Sequence, residues 1–240
     1  MKVLLLGSGG REHAIGWKLV QSPLITRLTS CPGNPGLAEI GDVVPDVDPE
    51  DPEAVTALAK DRHVDLVVVG PEGPLAAGVA DALQEAGIAV FGPTRAGAML
   101  EASKAHAKRV MTAAHVPTAA YGEFTDRDKA IAFLHEQSPP YVVKADGLAA
   151  GKGVVVTEDL AAAETWVNEC MHGRFGDAGS TVVIEEFLDG DEVSVFFICS
   201  DGVAVALDPA RDYKRLNDGD DGPNTGGMGS YSPVHTMDSF

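Results

Sequence analysis

The 240-residue sequence is short of positive charge: 18 Lys and Arg stand against 36 Asp and Glu, a formal net charge of −18. Nucleic-acid and anionic-membrane surfaces need a basic footprint, so neither partner is expected. An anionic ligand must instead be met by a few concentrated Lys, Arg and backbone N–H groups. Cysteine is scarce as well. Cys31, Cys170 and Cys199 are isolated, with no zinc-like spacing, and scattered thiols in odd number fit a reducing compartment. No run of about 18 apolar residues is available to span a bilayer. No charged leader or cleavage site precedes the first apolar run, so the cytoplasm is the expected location.

What is present is an ordinary globular composition, 45% hydrophobic, in a length that suits one large domain or two modest ones. Residues 1–92 read as alternating strand and helix. Residues 3–6 are a short continuous apolar run, the mark of a strand buried on both faces. Further strands are expected at 25–30, 65–69 and 88–91, with helices at 12–20, 52–62 and 75–86. This alternation predicts a parallel, doubly wound sheet whose ligand-binding edge carries the loops 7–10, 31–36 and 70–74.

From residue 95 the pattern changes. Helices are expected over 95–114 with a brief interruption, and again at 126–136 and 160–172. Strands are expected at 141–144, 154–156, 182–186, 192–199 and 203–207. Turns of hairpin length, such as Ser200-Asp201-Gly202, predict an antiparallel α+β arrangement. Residues 217–229 are rich in Asp, Gly and Asn and read as a loop, either mobile or organised around a ligand.

Three segments carry chemistry. Gly7-Ser8-Gly9-Gly10 follows the first strand, but Glu12 stands where a dinucleotide fingerprint needs its third glycine, and no acid closes the second strand. The turn is therefore either a phosphate seat at a helix start, with Arg11 and His13 beside it, or a plain tight turn. Gly70-Pro71-Glu72-Gly73-Pro74 is a second rigid loop on the same edge, where Glu72 can accept from sugar hydroxyls. The third segment joins Lys144, at a strand end, to the glycine-rich loop 146–153 with Lys152, and then to Glu185 and Glu186 closing another strand. Such a loop can close over phosphates or be a flexible hairpin tip. The two acids are either solvated or suited to an adenine amino group and ribose hydroxyls, with Phe187 and Leu188 beside them.

In this order the pieces resemble the ATP-grasp superfamily. The match extends to the motifs beginning at Gly7 (GSGGREHA), Pro32, Val69, Phe91, Ser103, Val143 (VKADGLAAGKGV), Ile184 (IEEFL) and Gly222 (GPNTGGMG). Taken together they are similar to the glycinamide ribonucleotide synthetase family, from residue 1 to about 233. The resemblance implies a doubly wound N-terminal sheet over residues 1–102, Rossmann-like and substrate-binding. It also implies an α+β ATP-grasp domain over 103–240, incomplete at its C-terminus.

By resemblance the activity is ATP-dependent ligation of glycine to 5-phosphoribosylamine through a glycyl phosphate, in purine biosynthesis. ATP contacts then fall to Lys104, Lys144, Gly151, Lys152, Gly153, Glu185, Glu186, Phe187, Leu188 and Glu192. Chemistry at glycine falls to Lys152, Asp212, Lys214 and Asn224, with Thr225, Gly226, Gly227 and Met228 nearby. Gly9, Gly10, Arg11 and Glu72 would face phosphoribosylamine. Only small-molecule partners and a monomer are expected. The magnesium or manganese ligands are expected beyond Phe240, so none is assigned here and the chain is expected to be partial. Arg211 and Tyr213 depart from the family's usual Gln and His, which points to altered packing or selectivity. Two other readings stay open: an ATP-binding remnant without turnover, and an ATP-grasp ligase for another acid and amine.

Overall fold

The computed structural model describes residues 1–149, 152–219 and 221–234, with the backbone alone for Asp221, Pro223 and Asn224. The chain divides into two compact units, Met1–Glu186 and Phe187–Phe240. The first opens with β1 (Lys2–Gly7), α1 (Gly10–Leu19), β2 (Arg27–Pro32), α2 (Pro35–Ala38) and β3 (Asp42–Val43). It continues with α3 (Pro52–Asp61), β4 (Leu66–Val69), α4 (Glu72–Ala77), α5 (Val79–Glu85) and β5 (Ala89–Phe91). The sheet order is β3-β2-β1-β4-β5, and every pairing is parallel.

Alternation along the strands builds a core on each face. Leu4 and Leu6 meet Val67, Val55 and Leu83 on one side, while Val3 and Leu5 meet Leu28, Val68 and Leu37 on the other. Leu4, Leu5 and Leu6 are wholly buried, and burial of such a side chain contributes about 1.5–3 kcal/mol. The doubly wound expectation therefore holds, and the strand order reverses beside β1. The helix expected over 75–86 is two helices instead. Gly78 lies between them at φ 94°, a conformation that favours glycine.

Next come α6 (Arg95–Ala102), α7 (Lys104–Ala113), β6 (Tyr121–Phe124), α8 (Arg127–His135), β7 (Tyr141–Ala145), β8 (Val154–Thr157), α9 (Leu160–Glu169) and β9 (Val182–Glu185). The helix starts are set by side-chain oxygens: Ser103 caps α7, Asp126 caps α8 and Asp159 caps α9. The four strands form an antiparallel sheet in the order β6-β9-β7-β8. Tyr141, Val143, Ala145, Val182 and Ile184 share a core with Leu134 of α8 and Val167 of α9. The period of two then puts Val142, Lys144, Val183 and Glu185 on the opposite face. The expected helix over 160–172 ends early, in a π turn at Cys170–Arg174 with Gly173 at φ 90°.

The second unit contains two hairpins. β10 (Phe197–Ser200) and β11 (Val203–Ala206) are joined by Asp201 and Gly202, at φ 50° and 77°, the left-handed pair that a tight hairpin turn demands. The strand expected over 192–199 thus begins only at Phe197, preceded by an isolated bridge between Ser194 and Ala210. β12 (Arg211–Asn217) pairs antiparallel with β13 (Asp221–Tyr231). This corrects the loop expected over 217–229. Its glycines argue against a strand on propensity, but the ladder absorbs them through register shifts, with Gly222 and Gly227 at positive φ. No described helix is long and apolar enough to cross a membrane.

Candidate functional site

A cleft of about 780 Å³ opens over the free face of the antiparallel sheet. Lys144 and Glu185 reach it from adjacent strands. Val142 pairs with Glu185 and Lys144 with Val183, so the two side chains are diagonal neighbours on one face. Lys144 Nζ lies 3.0 Å from Glu185 Oε2. Helix α7 adds Lys104 and Lys108, four residues apart and thus on one helix face; both line the cleft. Lys108 Nζ lies 3.1 Å from the same Glu185 Oε2, and both side chains are almost fully buried, at 6% and 7% exposure. Burying an ion pair costs desolvation that only good geometry and further hydrogen bonds offset. Lys108 has them: its ammonium also donates to Thr118 Oγ1 and to the Ala119 carbonyl.

Lys104 donates to the carbonyls of Asp146 and Gly147. Burial pulls its ammonium below the ordinary lysine value, and the Asp146 charge only partly opposes this. The Asp146 carboxylate accepts from Ser103 Oγ and from the Ala105 N–H at the start of α7, where a helix favours negative charge. Thus Asp146 locks the glycine-rich loop to α7. Within that loop Lys152 is exposed, and Gly153 packs so closely that a Cβ there would lie 2.8 Å from Ala149 Cβ. Gly151 lies outside the described residues. Glu186 is exposed beside Glu185, and its N–H donates to the Ala120 carbonyl. In a chain of net charge −18, three lysines line one cleft together with Glu50, Glu72, Glu101 and Glu185. Lys104 and Lys144 are the cationic groups there that can meet an anionic ligand.

The edge of the parallel sheet contributes Glu72, Pro71 and Gly73 to the same cleft. Arg11 NH1 donates to Glu72 Oε1 at 3.0 Å. Burial alone would lift the Glu72 carboxyl, but the bond from Arg11, a backbone hydrogen bond and the Arg11 charge together hold the group below the ordinary carboxylate value. Glu12 explains why the first turn is no dinucleotide seat. Its side chain is buried, accepts from the Gly9 N–H at 2.7 Å and from Arg11 Nε at 2.8 Å, and fills the space beside Gly7 and Gly70. A Cβ on Gly70 would lie 2.4 Å from Glu12 Oε1. The Gly9 N–H is thus taken, whereas the position above Gly10 is open.

The second unit brings Glu192, Asp212 and Lys214 together. Lys214 Nζ pairs with Glu192, and with Asp212 Oδ2 at 3.2 Å. The hydrogen bond to Glu192 raises the Lys214 ammonium above the ordinary lysine value. Thr225 Oγ1 donates to the Lys214 carbonyl and accepts from the Gly227 N–H, which ties β13 back to β12. Gly226 and Met228 are exposed nearby, as are Phe187 and Leu188 where the unit begins. The side chain of Asn224 lies outside the described residues. The two departures from the family pattern form a stack: the Arg211 guanidinium lies 5.5 Å from the Tyr213 ring centroid, and Tyr213 stacks on Tyr231. Arg211 also pairs with Asp191.

Lys108, Glu12 and Asp146 were not singled out from the sequence. Lys108 follows Lys104 by one helical turn, the one signal that could have found it. In the sequence Glu12 is visible only as the residue that breaks a dinucleotide fingerprint. Among the described residues no three His, Cys, Asp or Glu side chains gather as a cation site.

Comparison with known proteins places the chain in a family. Residues 1–101 match the family model described as phosphoribosylglycinamide synthetase, N domain, and residues 102–239 match the ATP-grasp (A) domain of the same synthetase. The chain is 54% identical over 237 residues to a phosphoribosylamine–glycine ligase of Brucella melitensis, covering 99% of this chain and 55% of that protein. It is 54% identical over 238 residues to the ligase of the same name from Agrobacterium fabrum, at 99% and 56% coverage. The crystal structure of phosphoribosylamine–glycine ligase from Thermotoga maritima superposes with a TM-score of 0.82 at 36% identity, over 98% of this chain and 56% of that one. The chain therefore spans a little over half the length of these relatives. By both family models and by its fold, the chain belongs to the phosphoribosylglycinamide synthetase family.

Proposed function

We propose that the chain carries the ATP-binding and amine-binding walls of a ligase that joins glycine to 5-phosphoribosylamine, forming glycinamide ribonucleotide, ADP and phosphate. One observation carries the reading: Lys104, Lys144 and Glu185 share a single cleft with Glu72 of the neighbouring sheet edge. A phosphate donor and a phosphorylated amine could meet there. Residues 1–102 form the amine-binding domain in this reading, and 103–240 the ATP-grasp part, a division that the two family-model matches support.

Carboxylates resist attack by amines because the oxygen leaves poorly. In the proposed reaction a glycine carboxylate oxygen attacks the γ-phosphorus, and ADP leaves. The amine of phosphoribosylamine then attacks the acyl carbon, phosphate departs with the bridging oxygen, and the amine proton is lost. The protein's share is positioning and charge neutralisation. Lys104 and Lys144 neutralise phosphate oxygens. Lys152, between Gly151 and Gly153, adds charge from the glycine-rich loop. Glu185, Glu186, Phe187 and Leu188 take the adenine, and Glu192 the ribose. Asp212, Lys214, Asn224, Thr225, Gly226, Gly227 and Met228 serve glycine and its acyl phosphate, while Gly9, Gly10, Arg11 and Glu72 serve phosphoribosylamine. Magnesium or manganese would accompany the triphosphate.

The test has two parts. Calorimetry on the 240-residue chain should show ATP binding that inorganic tripolyphosphate weakens by competition. The full-length enzyme should release ADP only when glycine and phosphoribosylamine are both supplied. ADP release with another acid, and none with glycine, would sink the substrate assignment.

A further inference from the structure

We infer that Lys108 is a positioning residue for nucleotide selection: it holds Glu185 so that one carboxylate oxygen faces the cleft as a fixed acceptor. The inference rests on the ATP site proposed above.

The three cleft lysines are not equivalent. Lys144 is about one-quarter exposed and makes one side-chain bond, to Glu185, so it keeps N–H groups for a ligand. Lys108 is committed inward. Its ammonium donates to Thr118 Oγ1 at 2.8 Å and to the Ala119 carbonyl at 3.1 Å, and it forms a buried ion pair with Glu185 Oε2 at 3.1 Å. Lys108 is therefore a strut rather than a phosphate ligand, and its place over the Tyr121 ring, 5.4 Å from the centroid, adds to its confinement.

The strut acts on Glu185. Both lysines engage Oε2, while Oε1 accepts no hydrogen bond from a described residue, although Glu185 lines the cleft. The strand holds the Glu185 backbone between β6 and β7, and Lys108 holds the carboxylate from helix α7. An acceptor-only group fixed in a low-dielectric wall selects a donor. The exocyclic amine of adenine is such a donor, and the carbonyl that replaces it in hypoxanthine is not. Discrimination between the two bases should depend on the Lys108–Glu185 ion pair even though Lys108 touches neither base. Thr118 and Ala119 extend the hold to the segment between α7 and β6, so one ammonium ties the helix, the loop and the acceptor together.

The experiment measures dissociation constants of ATP, inosine triphosphate and inorganic tripolyphosphate for the full 240-residue chain and its Lys108→Met variant. The wild-type chain should prefer ATP to inosine triphosphate by about tenfold or more, the worth of a hydrogen bond to a charged group. Lys108→Met should collapse that preference and leave tripolyphosphate affinity within about twofold. An unchanged preference in the variant overturns the inference alone. So does an equal loss for all three ligands, which marks a purely structural role. If the wild-type chain binds no ATP, the nucleotide-site reading falls with it. Should the Met variant fail to fold, Lys108→Arg reads the same ratio. A planar fork does not reproduce the compact ammonium that meets Thr118, Ala119 and Glu185 together, so the preference must drop, and full retention overturns the inference.

Discussion

Each unit of the molecule holds a cluster of lysine and carboxylate, and the two differ mainly in burial. In the first, Glu185 is shared by Lys108 and Lys144, with Glu185 and Lys108 nearly free of solvent. In the second, Lys214 is shared by Glu192 and Asp212, all substantially exposed. The buried cluster has lost its hydration and depends on its partners, so deleting one group strands another. The exposed cluster is hydrated with or without its pairs and screened by salt. Similar contact distances therefore stand for different energies, and the two clusters suit different work. The first can hold a ligand group in one orientation, whereas the second is free to rearrange.

The largest test of this contrast is Glu185→Ala. It leaves Lys108 buried without its counter-ion and should cost about 3–5 kcal/mol of stability, as broken buried pairs do. Urea unfolding of the chain measures it. A loss below about 1 kcal/mol would place this cluster in the exposed class. Next in size is Lys144→Ala, where the lost group is about one-quarter exposed and its cost should appear in binding. ATP affinity should fall by about 1.5–3 kcal/mol, the range for hydrogen bonds to charged groups. An unchanged affinity in calorimetry would remove Lys144 from the phosphate-binding set.

How far this contrast was legible in the sequence follows from residue chemistry. Lys144 and Glu185 stood out because each closes an apolar strand, where a charge is conspicuous. Asp51, Asp126 and Asp159 cap their helices with their own side chains, a local pattern that the sequence carries although the sequence reading did not use it. Lys108 did not stand out. A lysine in the helix Lys104–Ala113 reads as a solvated face until the fold shows what it faces. The break at Gly78 was hidden in an alanine-rich run, since an isolated glycine is tolerated in helices. The pairing of β12 with β13 was hidden because Asp, Gly and Asn favour turns, and only the cross-strand partner reveals the ladder. Local signals placed most strands and helices, while long-range partners assembled the site.

In the exposed cluster, Glu192→Gln should change stability by no more than about 1 kcal/mol. The change should shrink further in high salt, because pairs open to solvent are screened. Urea unfolding at low and high ionic strength checks both statements. A larger, salt-independent loss would mean that Lys214 is held as tightly as Lys108.

The smallest effect separates lysines by the direction of their pH response. Lys104, beside the buried cluster, is drawn by burial below the ordinary lysine value of 10.5. Between its folded value and that of the unfolded chain, the unfolded state keeps a proton that the folded state has released. Stability carried by this group therefore rises as pH climbs through the window. Lys214 behaves oppositely. The bond to Glu192 raises it above 10.5, so its contribution is complete below the ordinary lysine value and is lost as pH climbs through the raised one. The measurement compares wild type with Lys104→Met and with Lys214→Met by urea unfolding, from about pH 8 to about pH 11. Wild type should gain on the first variant and lose on the second across that range. Lys214 is largely hydrated, so its slope should be the shallower and should flatten in salt. If both differences move in one direction, burial does not distinguish the two environments, and the separate roles drawn for the clusters lose their physical basis.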